Sequence, residues 1–301
     1  MRIIGWVAAA LTTAAMLAPA AAEPIAKEVF GALSAPAGAA PAAIGSYARG
    51  CLAGAVRLPA DGPGWQAMRL SRNRHWGHPA LTDFVERLAA TLAAAGHPGL
   101  LVGDMAQPRG GPMRTGHASH QSGLDVDLWF EPMPAERLDA TARETISAVS
   151  LLRPGTRRLD PDRFDEFAAL GVVRTAARDP AVARIFVHPA IKQAFCARAG
   201  ADRAWLRKVR PWWGHHYHFH GRLACPTDSP GCADQTPPPA GDGCDAPLAW
   251  WFTDEPWRPS GTEPKPPLRL ADLPAACRAL ATAPQSPFLS LPKDGMRPPD
   301  M

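Results

Sequence analysis

Residues 214–221 read Gly-His-His-Tyr-His-Phe-His-Gly and place four histidines within six positions. Side chains two apart on a β-strand point to the same side of the sheet. A strand from His216 to Leu223 would therefore project His218 and His220 together. Phe219 would point to the opposite face and anchor the strand in the core.

A second segment carries complementary residues. Residues 116–127 read Gly-His-Ala-Ser-His-Gln-Ser-Gly-Leu-Asp-Val-Asp, so His117 and His120 lie in a Gly-rich loop that leads to Asp127. From Leu124 to Phe130 apolar and polar residues alternate, which predicts a half-buried strand with Asp127 on its polar face. If this strand pairs with the histidine strand, these side chains converge.

Two histidine nitrogens and one carboxylate oxygen form the ligand set of a catalytic zinc site, because they leave a fourth tetrahedral position for water. A lone histidine is more often a surface or structural residue. Here six of the ten histidines fall in the two segments, which favours a metal site. The His-Glu-x-x-His helix motif of many zinc proteases is absent from the sequence.

The N-terminus has the pattern of a secretory signal. Arg2 precedes an apolar run from Ile3 to Leu17, and small residues continue to Ala22 before Glu23. This pattern predicts a signal peptide of residues 1–22 that is removed by cleavage, with an uncleaved anchor as the alternative. No later segment has the length of apolar residues that a membrane span needs. The net charge of +4 comes without a dense Lys/Arg cluster, so no nucleic-acid binding is expected.

The cysteine count is even in a chain expected to be exported, which predicts disulfides. The count fixes no pairing, although Cys225 and Cys232 flank a turn-rich loop that could close on itself. A zinc-thiolate cluster is the alternative, and the lack of any Cys-x-x-Cys pair argues against it.

The remaining patterns predict one α+β domain over residues 23–301, with a mainly antiparallel central sheet that carries the site, flanking helices and disulfide-stapled loops. The stretch 226–267 is rich in Pro, Gly and Asp and is expected to be a surface excursion without its own core. The other predicted elements are a helix from Leu81 to Gly96 capped by Thr82 or Asp83, a strand from Gly99 to Gly103, helices around Ala135–Val149 and Arg163–Leu170, a strand from Ala183 to His188 and a helix opened by Pro189.

The two histidine motifs closely resemble the penicillin-insensitive murein endopeptidase family, one of the zinc peptidases related to lysostaphin-type and D-Ala-D-Ala-cleaving enzymes. The resemblance lies in Gly110–Trp129 and Trp212–Pro226, with further likeness in Gly103–Arg109 and Arg184–Lys192. It implies a periplasmic zinc endopeptidase that hydrolyses D-alanyl-meso-diaminopimelyl cross-links in peptidoglycan. The attacking group would be a metal-activated water, so penicillin would not inhibit the enzyme.

Residue by residue, the resemblance makes His120 and Asp127 zinc ligands from a His-x6-Asp motif. It makes His220 the ligand from the His-x-His motif. His218 matches the proposed general base, and His215 matches a further active-site histidine.

The resemblance leaves His117 either as a ligand or as a group behind the ligands, and His216 as a spacer. Some members carry a second zinc near a dimer contact, but no His/Asp match for it is found around residues 151–160, so a homodimer stays open. The implied disulfides are Cys51–Cys277, Cys196–Cys244 and Cys225–Cys232.

Three rival functions make different demands on the sequence. A non-catalytic zinc-binding module would not need His218 and His215 beside the ligands. A cell-wall carboxypeptidase would differ in whether the cleft is open at both ends. A serine enzyme is suggested only by the Ser-x-x-Lys match at residues 290–293, where Pro292 disfavours the helix that this motif requires.

Overall fold

The computed structural model describes residues 23–259 and 266–285. The expected signal peptide, the Ser-x-x-Lys match and residues 260–265 of the excursion lie outside the described residues. Within the described part of the chain, no helix is both long and apolar enough to cross a membrane.

The described elements are short strands and helices. The strands are β1 Ala42–Ser46, β2 Arg49–Ala53, β3 Val56–Arg57, β4 Asp61–Gly62, β5 Trp65–Ala67, β6 Trp76–Gly77, β7 Leu100–Val102, β8 Asp125–Pro132, β9 Val182–Val187, β10 Val209–Pro211 and β11 His218–Leu223. The α-helices are α1 Ala26–Phe30, α2 Pro79–Ala94, α3 Ala140–Thr145, α4 Val172–Arg178, α5 Pro189–Arg198, α6 Ala246–Ala249 and α7 Ala275–Thr282, and a π-helical turn at Glu166–Gly171 leads into α4.

A seven-stranded mixed sheet forms the centre, in the order β10-β9-β11-β8-β7-β5-β4. Four of its six neighbouring pairs are antiparallel, and only β10–β9 and β5–β7 are parallel. Helices α2, α4 and α5 contribute side chains to the same hydrophobic core as the sheet. The predicted α+β domain with a mainly antiparallel central sheet is therefore confirmed.

The alternation along β8 separates a core face from a polar face. Leu124, Val126 and Leu128 are fully buried in the core, and Phe219 of the neighbouring β11 joins them. The apolar residues of both strands were predicted to point this way. Burying them leaves the intervening carboxylates and imidazoles on the opposite face of the sheet.

Helix α2 contains the predicted amphipathic segment but begins earlier than expected. Its cap is His78, whose Nδ1 accepts a hydrogen bond from the Ala80 amide at 3.2 Å. The prediction of Thr82 or Asp83 as cap was wrong, because Pro79 already has the φ angle of a first helical residue. The predicted stop is confirmed, since Gly96 follows the last turn with a φ of 83°.

The helix predicted around Ala135–Val149 was too long. Helix α3 covers only six of these residues, and the chain leaves it at Ile146 in an extended conformation. The amide of Val149 then donates to the Glu131 carboxylate on β8. A contact between distant segments therefore overrides the local helical pattern.

All six cysteines are paired, which confirms the disulfides implied by the resemblance and leaves no thiol for a zinc-thiolate cluster. Cys51–Cys277 joins β2 to α7, and Cys196–Cys244 joins α5 to the excursion. Cys225–Cys232 closes the loop that follows β11.

Replacing each cysteine pair by serine should destabilise the fold in the order of loop length. The sequence separations are 226, 48 and 7 residues. In the chain-entropy account these loops correspond to about 5, 4 and 2 kcal/mol. Urea unfolding of the three double variants measures this order. A loss from the Cys225/Cys232 variant as large as that from the Cys51/Cys277 variant would contradict it.

Candidate metal centre

Four histidines surround the carboxylate of Asp127 on β8. Its Oδ1 lies 3.4 Å from His120 Nε2 and 3.3 Å from His220 Nδ1. Its Oδ2 lies 3.5 Å from His117 Nδ1 and 3.5 Å from His218 Nε2. The two segments that the sequence singled out therefore meet at one buried carboxylate.

The register between β8 and β11 produces this convergence. His220 lies directly opposite Asp127, and Arg222 lies directly opposite Asp125. Residues opposite one another in an antiparallel pair share a face and lie within side-chain contact. Two acid–base pairs thus stand side by side on the polar face of the sheet.

The loops that supply the other histidines are held in uncommon conformations. His120 has a φ of 65° and His215 a φ of 51°, values that residues other than glycine rarely adopt. Gly110 packs against the chain beside His120, where an added Cβ would lie 2.0 Å from the Gln121 carbonyl oxygen. Such backbone strain clusters at functional sites and needs surrounding structure to hold it.

Asp125 supports the site from behind. Its carboxylate accepts the His120 amide at 2.9 Å and both Nε and Nη2 of Arg222, at 2.7 and 3.1 Å. Its Oδ1 also lies 3.0 Å from His220 Nε2, at an angle outside hydrogen-bond geometry. Burial alone would raise the pKa of Asp125, but Arg222 and His220 outweigh it and hold that pKa well below its usual range. A charged Asp125 therefore orients two of the histidines.

The outer ring nitrogens of two histidines are also engaged. His120 Nδ1 lies 3.0 Å from the Met105 carbonyl oxygen, which can only accept. His117 Nε2 lies 3.0 Å from Asp104 Oδ2, a carboxylate that also pairs with Arg74 at 3.0 Å. In the neutral rings, His120 Nε2 and His117 Nδ1 then keep a lone pair directed toward Asp127. Metal-binding histidines have this arrangement.

The donor set fits a divalent cation. His120 Nε2 and Asp127 Oδ1 are buried and have no hydrogen-bond partner among the described residues. Burial lowers the pKa of His120 to about 4, so its ring is neutral. Burial would also lower the pKa of His220, but Asp125 and Asp127 raise it to about 9. The surroundings therefore favour positive charge at this point, which a metal ion would supply.

Two overlapping ligand sets are available. His117, His120 and Asp127 each offer one ligand atom within 4.8 Å of the others, and these three residues could hold a metal ion. His220 stands outside that group of three, yet its Nδ1 lies 3.3 Å from Asp127 Oδ1. The sets share His120 and Asp127 and differ in the third member.

The two remaining histidines of the motif lie in different places. His215 lies beside the site, with its ring 5.1 Å from that of His218 and its Nδ1 2.7 Å from the Trp213 carbonyl oxygen. His216 turns away and contacts Ser150 Oγ through Nδ1 at 2.9 Å.

Sequence reasoning missed three residues that position the histidines, namely Asp104, Asp125 and Arg222. A signal for two of them was present. Asp125 lies two residues before Asp127, and Arg222 lies two residues after His220, so strand periodicity places each on the same face as its neighbour. Asp104 had no such signal, because it reaches His117 across a loop.

The fold and the site define an α+β protein with a histidine–aspartate cluster on its central sheet that could hold a metal ion. Residues 43–282 match the sequence profile described as penicillin-insensitive murein endopeptidase. The chain is 44% identical over 241 residues to the protein of that name from Haemophilus influenzae, covering 80% of this chain and 82% of that protein. It is 43% identical over 248 residues to the one from Klebsiella pneumoniae subsp. pneumoniae, covering 81% and 88%. The chain therefore belongs to the penicillin-insensitive murein endopeptidase family, and the predicted enzyme class, a murein endopeptidase, is confirmed.

Asp125→Asn should weaken metal binding by about 10- to 100-fold, the usual effect of removing a partner that orients a ligand. The neutral amide cannot accept from both Arg222 and the His120 amide as the carboxylate does. Titration of the metal against a competing chelator measures the affinity, and thermal unfolding of the metal-free proteins checks that the variant folds. Asp162→Asn, at an exposed aspartate, is the matched control. Equal affinities in the two variants would remove Asp125 from this role.

Proposed function

We propose that this chain is a zinc-dependent endopeptidase that hydrolyses D-alanyl-meso-diaminopimelyl cross-links in peptidoglycan. Family membership supports a murein substrate. The choice of cross-link is the one that the sequence resemblance implies. The observation that carries the metal chemistry is the pair of buried, unpartnered atoms, His120 Nε2 and Asp127 Oδ1, which lie 3.4 Å apart.

We assign His120, Asp127 and His220 as the ligands. Two ligand atoms on a tetrahedral zinc, each bonded at about 2.0–2.1 Å, lie about 3.3 Å apart. The separations of 3.4 and 3.3 Å from Asp127 Oδ1 to the two imidazoles support this assignment. His117 lies nearer the other carboxylate oxygen, so we assign it to orienting Asp127.

A zinc ion held by these residues would lower the pKa of a water ligand to about 7 and polarise a substrate carbonyl. We assign His218 as the base that takes the proton. Burial lowers the pKa of His218 and Asp127 only partly offsets it, so the ring is neutral and can accept. We place His215 against the substrate, because its Nδ1 donates to the Trp213 carbonyl and leaves Nε2 as an acceptor.

The shape of the cleft favours an endopeptidase over a carboxypeptidase. Two cavities, of about 350 and 480 Å³, adjoin at the centre and share the lining residues Arg72, Asp104, His117, Tyr217 and His218. One extends to Ser147 and Ala148, and the other to Trp213 and His215. A substrate whose chain continues on both sides of the scissile bond needs such a continued cleft. A purely binding module would need neither His218 nor His215 here.

We also propose that residues 1–22 act as a signal peptide and that the mature enzyme works in the periplasm. The three disulfides support export, because such bonds persist in oxidising compartments.

His218→Ala should keep its zinc but lose about 10²- to 10⁴-fold in turnover, the usual contribution of a positioned base. Cleavage of purified cross-linked muropeptide dimers, with products identified by mass, measures the rate. His216→Ala, two residues away and turned from the centre, is the control and should stay near the wild-type rate. Unchanged turnover in His218→Ala would remove it from the mechanism, and loss of zinc would make it a ligand.

The same assay tests the reaction class. Removal of zinc by a chelator should abolish cleavage of the dimers, and benzylpenicillin should leave cleavage unchanged, because β-lactams trap a serine nucleophile. Cleavage that survives complete removal of zinc would overturn the proposal.

His220→Ala should lose the zinc, whereas His117→Ala should retain most of it. The reason is that His220, unlike His117, approaches the same carboxylate oxygen as His120, namely Asp127 Oδ1. Metal analysis after gel filtration of both variants provides the measurement. The reverse pattern would transfer the third ligand position to His117.

A further inference from the structure

Exposed aromatic side chains are concentrated on one side of the metal centre. Six Phe, Trp and Tyr side chains are prominently exposed in the described part of the chain, and all but Phe167 lie in two short segments: Trp212, Trp213, Tyr217, Trp250 and Phe252. Contiguous exposed apolar surface marks a binding site more often than isolated exposed residues do.

Four tryptophans form a continuous run, here called the aromatic ladder: Trp212, Trp213, Trp251 and Trp257. Successive ring centroids are 4.9, 4.6 and 6.2 Å apart. The indole of Trp213 donates to the Pro256 carbonyl at 2.6 Å, and the indole of Trp257 donates to the Trp251 carbonyl at 2.9 Å. These bonds hold the rings in place: Trp212 and Trp213 are exposed, Trp257 is half-buried and Trp251 is buried between its neighbours in the run. The exposed part of the ladder is therefore preformed.

The ladder connects the catalytic cleft to a separate cavity. At one end, Trp213 lines the same cavity as His215 and His218. At the other end, Trp251 and Trp257 line a second cavity of about 490 Å³ that contains no residue of the metal centre. This volume lies within the range of small-molecule sites.

Polar groups surround the aromatic wall of the second cavity. The Arg157 guanidinium lies 4.6 Å over the Trp257 ring, and Arg158, Gln193, Thr253 and the acidic Asp254 line the same space. Aromatic walls combined with a few hydrogen-bonding and cationic groups suit an amphipathic ligand rather than a purely apolar one.

We propose that the aromatic ladder and the second cavity bind the glycan strand of the peptidoglycan whose peptide is cleaved at the metal centre. This inference rests on the proposed function. The C–H faces of amino-sugar rings pack on the exposed aromatic rings of Trp212, Trp213 and Phe252. Their hydroxyl and acetamido groups hydrogen-bond to Gln193 and Thr253, and Arg157 and Arg158 donate to the oxygens of the same groups.

The test compares Phe252→Ala with Phe167→Ala. Both side chains are about half exposed, at 47% and 50%, but only Phe252 lines the second cavity. Arg158→Ala, at an exposed residue, is a second cavity variant that leaves the aromatic packing intact. The probes are peptide-free strands of alternating N-acetylglucosamine and N-acetylmuramic acid, sugar-free cross-linked peptide dimers, and intact sacculi.

Calorimetric binding of the peptide-free strands should weaken by about fivefold to thirtyfold in Phe252→Ala, as expected for a residue central to an interface, and should not change in Phe167→Ala. Arg158→Ala should weaken it in the same direction. Cleavage of the sugar-free dimers should stay at the wild-type rate in all three variants. Cleavage of sacculi should fall only in the two cavity variants.

Strands that bind wild-type enzyme and both cavity variants equally, or that do not bind wild-type enzyme, would overturn the proposal. The proposal would also be overturned if a cavity variant changed the sedimentation of the enzyme and left strand binding unchanged. The surface would then join two copies of the chain. If the wild-type enzyme binds the strands but does not cleave the peptide dimers, the result supports the glycan site and contradicts the proposed function.

Discussion

Two carboxylates on β8, each opposite a basic side chain of β11, hold the site together: Asp127 faces His220, and Asp125 faces Arg222. Because the side chains of a strand alternate with a period of two, a slip of β11 by one residue would turn His220 and Arg222 toward the core. The other face opposes that slip, since Leu128 and Phe219 are buried there as neighbours. The hydrophobic core therefore sets the register, and the register sets the geometry of the metal centre.

Both carboxylates are buried, and a buried charge is costly unless a partner compensates it. For Asp125 the partner is Arg222, which binds both carboxylate oxygens. For Asp127 the neighbours are four imidazoles: burial lowers the pKa of His120 and His218, whereas nearby carboxylates raise the pKa of His117 and His220. None of these rings carries the permanent charge of an arginine, so the charge of Asp127 is matched less completely. Removing one partner of a buried pair costs about 3–5 kcal/mol. The Asp125–Arg222 pair is thus a compensated structural ion pair, whereas Asp127 retains attraction for a cation.

The parts of the site that were predictable from the sequence are those with a local period. The alternation on β8 and the His218-x-His220 spacing each predicted which side chains share a face, and both predictions hold in the structure. The length of α3 was not predictable, because a contact from Val149 to Glu131 ends the helical pattern. The residue pattern alone did not choose between His117 and His220 as the third ligand, and the assignment of His220 came from the family resemblance. The disulfide pairs came from the family resemblance and not from the residues themselves.

The excursion after β11 shows how a segment without its own core becomes part of a site. Cys244 is bonded to Cys196 of α5, and Lys192 on the same helix donates to the Asp242 carbonyl at 2.7 Å. These links fix the chain just before Trp251, whose ring packs on Trp213 at the edge of the cleft. A Pro-rich segment loses less chain entropy on ordering than a flexible one, because proline already restricts its backbone. A few covalent and polar links can therefore hold an aromatic surface beside the metal centre, where a long flexible loop would leave it mobile.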